Sequence, residues 1–218
     1  MQNNYGLVRE SAGKAVLKAI PVPDVEDDYI LVRTVAVALN PTDWTTLDAP
    51  GDNGTLVGCD FAGVVEDVGG TVTVTGRFRK GDRVAGFSHG GKFICELIYL
   101  LLWPSSAVPL FLFFIYYGHS LPKYLGNDAK PHTGAFARYI VAKAALAMHI
   151  PDNVSFEAAS TVCVGFCTAG YALYKVLGLP FPGVDEAGRS DARKEDKTLL
   201  IYGGSTATGT IAIQLAKL

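Results

Sequence analysis

The chain has 218 residues, of which 49% are hydrophobic and 24 are glycine, and its net charge is −2. This composition is typical of a globular protein rather than a disordered one. No cluster of Lys and Arg is interleaved with aromatic residues, so we expect no nucleic-acid partner. The cysteines are too few and too scattered for a disulfide framework, and the N-terminus lacks a signal peptide. A cytoplasmic location is therefore predicted.

The N-terminal part is predicted to form a small β-barrel. Residues 29–39 are almost all apolar or β-branched, which predicts a strand buried on both faces. Short Val-rich runs at 63–69 and 83–87 are bounded by turn residues, and residues 136–141 have a similar pattern. Short strands at this spacing are typical of a barrel.

The pattern changes near residue 150. Residues 151–155 predict a turn and a helix N-cap, and residues 158–177 have a helical rhythm of Ala, Leu and small side chains. Residues 185–197 are rich in charge and predict a solvated loop. An apolar strand is predicted at 199–202. The second part should therefore alternate helices and strands.

The end of the chain has the pattern of a nucleotide-binding turn. The predicted strand leads into Gly203-Gly204-Ser205-Thr206-Ala207-Thr208-Gly209 and then into a helix. Backbone N–H groups at a helix N-terminus attract phosphate, and small side chains let it approach closely. A dinucleotide fold needs a further strand with a ribose-binding acid about 20 residues later. Since the sequence stops at Leu218, we expect an incomplete cofactor site and a fragment that is inactive or poorly folded.

An apolar segment at residues 93–117 fits none of this. Twenty of its 25 residues are apolar or aromatic, which is long enough to span a bilayer. Three interpretations stay open: a membrane-spanning helix, a buried hairpin, or a translated intron. Central Pro104 and Pro109 disrupt helical hydrogen bonding, and the flanks lack a cluster of basic residues. A membrane span is therefore the weaker of these interpretations.

The coding possibilities favour the intron. The codons of residues 91–93 can contain the splice-donor consensus GTAAGT, and those of residues 124–126 can contain an acceptor. Both boundaries then share one reading phase. Removing residues 92–126 leaves a polar loop that suits a connection between two strands. We hypothesise that 92–126 is an aberrant insert from intron read-through.

Four motifs in order resemble the medium-chain dehydrogenase/reductase superfamily. They are Ala38-Leu39-Asn40-Pro41-Thr42-Asp43-Trp44, Gly58-Cys59-Asp60-Phe61-Ala62-Gly63, Gly81-Asp82-Arg83-Val84 and Tyr202-Gly203-Gly204-Ser205-Thr206-Ala207-Thr208-Gly209. Within the superfamily they are most similar to the zinc-independent trans-acting enoyl reductases of fungal polyketide biosynthesis.

The resemblance implies a mixed α/β fold. Residues 1–150 would form a GroES-like catalytic domain, and residues 151–218 would begin a Rossmann domain. It also implies an NADPH-dependent oxidoreductase that reduces the carbon–carbon double bond of an enoyl thioester, with a polyketide synthase as a partner. The alternatives are a quinone or enone reductase of the same superfamily, and a non-catalytic fragment attached to a membrane through 93–117.

Three groups of site residues follow from the resemblance. The nicotinamide side of the cleft would be lined by Pro41, Thr42, Asp43 and Trp44. The pyrophosphate would be held by Thr206, Ala207, Thr208 and Gly209, and the acyl substrate would meet Cys167, Thr168, Ala169 and Gly170. No catalytic side chain is assigned, because the cofactor supplies the hydride.

Each group also has a plainer interpretation. The Asn40-Pro41 step would suit a rigid turn with Trp44 buried behind it. Thr206 would suit a helix cap. Cys163 and Cys167 are four residues apart and would suit the core-facing side of a helix.

No metal is predicted. Zinc-dependent relatives have Gly-His-Glu where this chain has Gly58-Cys59-Asp60, and they use a four-cysteine lobe that is missing here. Cys59 is interpreted as a small buried residue beside a tight turn. The histidines show no ligand spacing; they are His89, His119, His132 and His149. Many relatives have a lysine after the Asn-Pro-x-Asp pattern, whereas this chain has Thr45, which supplies no positive charge.

Overall fold

The computed structural model describes residues 3–88, 98–102, 111–115, 132–182 and 198–218. The chain divides into two compact units. Unit 1 comprises residues 1–93 and 122–164, and unit 2 comprises residues 94–121 and 165–218. The domain boundary that the sequence places at residue 150 stays a prediction.

Strands and helices are mixed, as the sequence predicts. The strands are β1 (Asn4–Ser11), β2 (Lys14–Ile20), β3 (Tyr29–Ala38), β4 (Asp60–Val68), β5 (Arg83–Phe87), β6 (Ile98–Leu102), β7 (Phe111–Ile115), β8 (Tyr139–Lys143) and β9 (Ala147–His149). The helices are α1 (Pro41–Asp48), α2 (Gly70–Thr75), α3 (Phe156–Ser160), α4 (Cys163–Gly170) and α5 (Ala207–Leu215).

Unit 1 is built on an antiparallel sheet with strand order β8-β3-β4-β5-β9. The hairpin β1-β2 approaches it through single bridges, Gly6 with Ala137 and Val8 with Leu56. In the described residues the five-stranded sheet is open. Strand β1 also exchanges backbone hydrogen bonds with residues outside the sheet's strands, such as the Leu7 N–H with the Phe136 carbonyl oxygen at 2.8 Å.

The main core of unit 1 lies on one face of this sheet, and a smaller buried cluster, which includes Ala62 and Ala85, lies on the other. Ile30 and Val32 on β3, Phe61 and Val65 on β4, and Val84 on β5 are completely buried. Burying such a side chain contributes roughly 1.5–3 kcal/mol relative to leaving it exposed. Alternating positions on neighbouring strands thus supply the main core, and the first half of β4 and the centre of β5 are buried on both faces.

Strand β3 lies where the sequence predicts it, but the predicted burial on both faces is wrong for its second half. Ile30 and Val32 are buried, whereas Val35 and Val37 are 45% and 42% exposed. The second half of β3 is therefore covered on one face only. The other Val-rich runs form β4, β5 and β8 close to the predicted positions.

The predicted helical stretch is also observed. Ser155 is the N-cap of α3, with its hydroxyl oxygen accepting a hydrogen bond from the Ala158 amide at 3.2 Å. Helix α4 follows and continues as a π-helical turn at Tyr171–Val176. Among the described residues, one helical stretch, Phe156–Val176, is long and apolar enough to cross a membrane, with a hydropathy of 1.2. Core helices of soluble proteins have the same length and composition.

The strand predicted at 199–202 is not present. In the described part of unit 2 these residues pair with no other strand, and Leu200 is 48% exposed. An extended segment becomes a strand only where a neighbour accepts and donates its backbone hydrogen bonds. The loop predicted at 185–197 lies outside the described residues.

Two stretches of the apolar segment are strands. β6 and β7 pair antiparallel, with Ile98 opposite Ile115 and Leu102 opposite Phe111. A membrane-spanning helix would need helical backbone there, so these stretches agree with the hairpin interpretation. The rest of residues 93–117 lies outside the described residues.

Candidate functional site

The Asn-Pro-x-Asp motif forms the start of helix α1. Asn40 is the N-cap, and Pro41 occupies the first helical turn, where its missing N–H costs nothing. The carboxylate of Asp43 accepts a hydrogen bond from the Asn40 backbone N–H at 2.7 Å. This is half of a capping box. Trp44 is 60% exposed, so the alternative in which it is buried behind a turn is wrong.

A buried carboxyl group lies beside this helix start. Asp60, the first residue of β4, is completely buried. Its Oδ2 accepts a hydrogen bond from the Asn40 side-chain amide at 3.0 Å, and its Oδ1 accepts one from the Val164 backbone N–H at 2.9 Å. Val164 lies in the first turn of α4. Asp60 therefore joins the beginnings of two helices.

Burial dominates the electrostatics of this site. Desolvation raises the pKa of Asp60 to about 7, although the hydrogen bonds from Asn40 and Val164 oppose this change. The nearby Asp43 carboxylate raises the pKa of Asp60 further. Burial also raises the pKa of Asp43, against hydrogen bonds from Asn40 and Cys59. Asp60 thus changes its charge near neutral pH, because an ionised carboxylate is costly where water is excluded.

Sequence reasoning did not assign a role to Asp60. It entered only as the third residue of the motif that replaces Gly-His-Glu. One signal was available: an acidic residue directly precedes the apolar run 61–65 of a predicted strand. Acidic residues are rarely fully buried unless they have partners, so this position calls for hydrogen-bond donors nearby.

The turn before Asp60 agrees with the interpretation of Cys59. Gly58 has a positive φ of 99°, and a Cβ there would overlap the ring of Phe136. Cys59 is 3% exposed, as expected for a small residue beside a tight turn. Its carbonyl oxygen accepts a hydrogen bond from the Ser88 N–H at 2.8 Å.

The glycine-rich turn of unit 2 leads into helix α5. Thr206 is the N-cap, and its hydroxyl oxygen accepts a hydrogen bond from the Gly209 amide at 3.0 Å. Gly203 has a positive φ of 87°. Gly209 is buried, and a Cβ at this position would overlap the carbonyl oxygen of Gly203. Only glycine permits this close approach of the turn to the helix.

Two amides at this helix start stay available. Among the described residues, the N–H groups of Ala207 and Thr208 have no hydrogen-bond acceptor. Unpaired amides at the positive end of a helix attract an anion. The predicted pyrophosphate residues therefore have a local geometry that fits a phosphate group.

The nicotinamide-side residues include one unsatisfied hydroxyl. Thr42 Oγ1 is buried and has no hydrogen-bond partner among the described residues. The hydroxyl of Thr45 instead donates to the carbonyl oxygen of Pro41 at 3.0 Å, within the helix. The Thr42 hydroxyl is thus buried without a partner among the described residues, whereas the Thr45 hydroxyl stabilises the helix turn.

The predicted substrate residues lie in the second half of α4. Cys167 is exposed, Thr168 and Gly170 are half-buried, and Ala169 is buried. Ala169 packs with Leu173 and Leu215 in the core of unit 2. For Ala169 the structure therefore shows helix packing.

The two cysteines of α4 do not share one environment. Cys163 is buried and packs with Ala62 and Ile150. Cys167 is exposed and belongs to none of the core clusters of the described residues. The expectation that both fill a core is wrong for Cys167.

Within the described ranges, no group of three or more His, Cys, Asp and Glu side chains is placed to hold an ion. His89, His119 and Cys95 lie outside those ranges. The expectation of a zinc-independent protein stays a prediction.

With this geometry in view, the chain was compared with known proteins. Residues 26–152 match the model of the alcohol dehydrogenase GroES-like domain. The trans-enoyl reductase resD of Aspergillus sclerotiorum is 42% identical over 202 residues, covering 91% of this chain and 46% of that protein. TOXD of Cochliobolus carbonum, also a trans-enoyl reductase, is 42% identical over 197 residues, covering 90% of this chain and 52% of that protein. The chain thus spans about half the length of these relatives.

Solved structures show the same fold. The quinone oxidoreductase of Coxiella burnetii has a TM-score of 0.62 at 21% identity, covering 99% of this chain and 54% of that one. The mycobacterial protein Rv1454c, solved in complex with NADPH, has a TM-score of 0.62 at 20% identity, covering 98% and 50%. The match over residues 26–152, more than half of the chain, shows that the chain belongs to the alcohol dehydrogenase GroES-like domain family.

Proposed function

We propose that the protein carrying this chain is an NADPH-dependent reductase of enoyl thioesters. The observation that carries the proposal is the start of α5, where unpaired amides of Ala207 and Thr208 lie next to a turn too tight for a side chain at Gly209. The names of the two relatives, both trans-enoyl reductases at 42% identity, support the substrate class.

We propose one group of residues in each unit for the nicotinamide dinucleotide. In unit 2, residues 206–209 would bind the pyrophosphate through backbone N–H groups. In unit 1, Pro41, Thr42, Asp43 and Trp44 would line the nicotinamide, and among them Pro41 and Trp44 are exposed. The preference for NADPH over NADH is part of the proposal and is supported by the NADPH complex of Rv1454c.

When bound, the reduced nicotinamide supplies a hydride. The protein's own contribution is then to bind and orient. Residues 206–209 would fix one end of the cofactor, and the rigid start of α1 would hold residues 41–44 in one conformation. For the acyl substrate we propose Cys167, Thr168, Ala169 and Gly170, in which the half-buried Thr168 hydroxyl would bind a polar edge. No side chain of the chain is required as a nucleophile.

The test is NADPH oxidation by the purified protein, followed at the nicotinamide absorbance band. Crotonyl-CoA serves as the enoyl thioester and p-benzoquinone as the competing acceptor. The proposal requires a higher kcat/KM for the thioester. A higher kcat/KM for the quinone would instead identify a quinone reductase of the same superfamily. If NADPH is oxidised neither with crotonyl-CoA nor with p-benzoquinone, the proposal is contradicted.

We also propose a cytoplasmic location and a polyketide synthase as the source of the thioester. The resemblance to trans-acting enoyl reductases supports the partner. The competing idea is a membrane-bound fragment anchored through residues 93–117. Carbonate extraction separates them, because an integral span would keep the protein in the membrane pellet.

For residues 92–126 we propose an insert that the GroES-like domain does not need. Ser88 and Thr133 lie on either side of it in sequence, and the Ser88 hydroxyl donates to the Thr133 carbonyl oxygen and also to that of Val141 at 3.3 Å. The two ends are therefore already close together, so a short loop suffices to join them. Deleting 92–126 should leave the thermal unfolding of unit 1 cooperative, and a major transcript that retains these codons would contradict the intron origin.

A further inference from the structure

Asp60 is placed at a structural junction within unit 1. It is the first residue of β4. Its two carboxylate oxygens accept hydrogen bonds from residues at the starts of two different helices. Asn40, the N-cap of α1, donates from its side chain at 3.0 Å, and Val164, in the first turn of α4, donates from its backbone at 2.9 Å. Val164 is 104 residues away in sequence.

Asp60 is the acceptor that the structure gives to both of these donors. Asp60 is 0% exposed, so water does not replace a lost acceptor. The α4 amide belongs to the first turn of its helix and has no partner within that helix. Removing the carboxyl group would take the acceptor away from two partly buried donors, which is costly.

The same link restrains the segment proposed to line the nicotinamide. Asn40 immediately precedes Pro41, and its backbone N–H is already held by Asp43 at 2.7 Å. Its side chain is held by Asp60. Both groups of Asn40 are thereby fixed, and residues 41–44 begin from a rigid position.

We propose that Asp60 is a positioning residue, which fixes the start of α1 and residues 41–44 to the start of α4 by accepting one hydrogen bond from each helix. It touches neither cofactor nor substrate and acts through Asn40. The binding part of this inference rests on the proposed NADPH site, whereas the hydrogen-bonded link does not.

Three variants separate the contributions. Asp60→Ala removes both acceptors. Asp60→Asn keeps the shape, with its carbonyl oxygen accepting from Val164 and its amide facing an Asn40 amide that can rotate to accept. Asp82→Ala is the matched control, because its carboxylate also accepts a backbone amide, from Arg79 at 2.9 Å, but in an exposed turn.

The first readout is hydrogen exchange of the Val164 amide, measured by NMR relative to the Ile150 amide, which donates to the Arg83 carbonyl oxygen. Asp60→Ala should speed exchange of Val164 about tenfold relative to Ile150, whereas Asp60→Asn and Asp82→Ala should not. Unchanged exchange of Val164 in Asp60→Ala would overturn the link.

The second readout is the Kd of NADPH from its fluorescence. Asp60→Ala should raise the Kd about tenfold, and Asp60→Asn should restore it to within about threefold of the wild type. In the wild type the Kd should change across the range in which Asp60 and Asp43 titrate, and in Asp60→Asn this dependence should weaken. A Kd that is unchanged in Asp60→Ala would overturn the positioning role.

A fourth variant covers the case in which Asp60→Ala does not fold. Asn40→Ser retains a good N-cap but is too short to reach Asp60. It should raise the Kd of NADPH while leaving Val164 protected, and an unchanged Kd would overturn the proposal. If the wild-type protein that carries this chain binds no NADPH but protects Val164 through Asp60, the proposed function is contradicted and the link is supported.

Discussion

The starts of α4 and α5 differ in how their backbone N–H groups, which have no acceptor within the helix, are paired. Each helix presents backbone N–H groups and a partial positive charge at its N-terminus. In unit 1 the Val164 amide of α4 is bound by the protein's own buried carboxyl, Asp60. In unit 2 the hydroxyl of Thr206 binds one amide of α5, and the amides of Ala207 and Thr208 have no acceptor among the described residues. One helix start is thus used for architecture, and the other stays available to an anion.

The largest effect is expected from a substitution at the start of α5, where the amides of Ala207 and Thr208 have no acceptor among the described residues. Gly209→Val would place a branched side chain where even a Cβ overlaps the Gly203 carbonyl oxygen, so the turn must move away from the helix. We expect a loss of roughly 3 kcal/mol in NADPH binding, or about a hundredfold in Kd. Fluorescence titration measures it. Gly51→Ala, in an exposed loop with space for a Cβ, is the control, and normal binding by Gly209→Val would refute this assignment.

The next effect is a pH dependence of stability, which arises from the Asp60 carboxyl at the start of α4. The folded-state pKa of Asp60, about 7, lies above the unfolded value of 3.8. Between these values the folded protein binds the proton and the unfolded chain does not, so the free energy of unfolding falls as the pH rises. The expected slope is up to about 1.4 kcal/mol per pH unit from about pH 4 to about pH 7.

Urea unfolding at a series of pH values measures this slope. Asp60→Asn cannot titrate, so its stability relative to the wild type should increase as the pH rises. Asp43 has a raised pKa too and should leave a smaller slope of the same sign in the variant. Parallel curves for the two proteins would show that Asp60 stays ionised throughout.

A third effect concerns the segment that precedes α3. The Arg83 guanidinium donates to the carbonyl oxygens of Pro151 at 3.2 Å and Val154 at 2.6 Å, and it lies 4.6 Å from the ring centre of Phe156. Arg83→Ala should lower the free energy of unfolding by about 1–2 kcal/mol. Arg79→Ala removes a highly exposed guanidinium and should cost less than about 0.5 kcal/mol. Equal losses would argue against a special role for Arg83.

The smallest effect concerns the stability of the Thr206 cap at the start of α5. Thr206→Ala removes the hydroxyl that caps the helix. It should lower the local stability of the helix start by about 1 kcal/mol, measured by hydrogen exchange of the Gly209 amide. Thr206→Ser keeps the hydroxyl and should restore protection. If Ser does not restore it, the methyl group rather than the cap stabilises this turn.

Local patterns were readable from the sequence, and pairings between distant residues were not. The Val-rich runs predicted β3, β4 and β5, and Ser155 predicted the start of α3, because strand alternation and helix caps depend on neighbouring residues. Helix α1 was missed although Pro at the first turn and an acid at the third position are local signals.

The failures at longer range have a different cause. The strand predicted at 199–202 depends on a partner, and no described strand supplies one. The role of Asp60 depends on Val164, which nothing in the local sequence connects with it. Motif resemblance gave the family, but tertiary hydrogen bonds decide which residues of those motifs are structural.

The most direct test of the central claim is an NMR titration of the ¹⁵N-labelled protein that carries this chain with NADPH, following individual backbone amides. The α5 amides of Ala207, Thr208 and Gly209 should show the largest chemical-shift changes, and the Val164 amide should keep its bond to Asp60. ADP should reproduce the shifts of the three α5 amides, because it carries the same pyrophosphate. Saturation by NADPH without shifts at these amides would contradict the account.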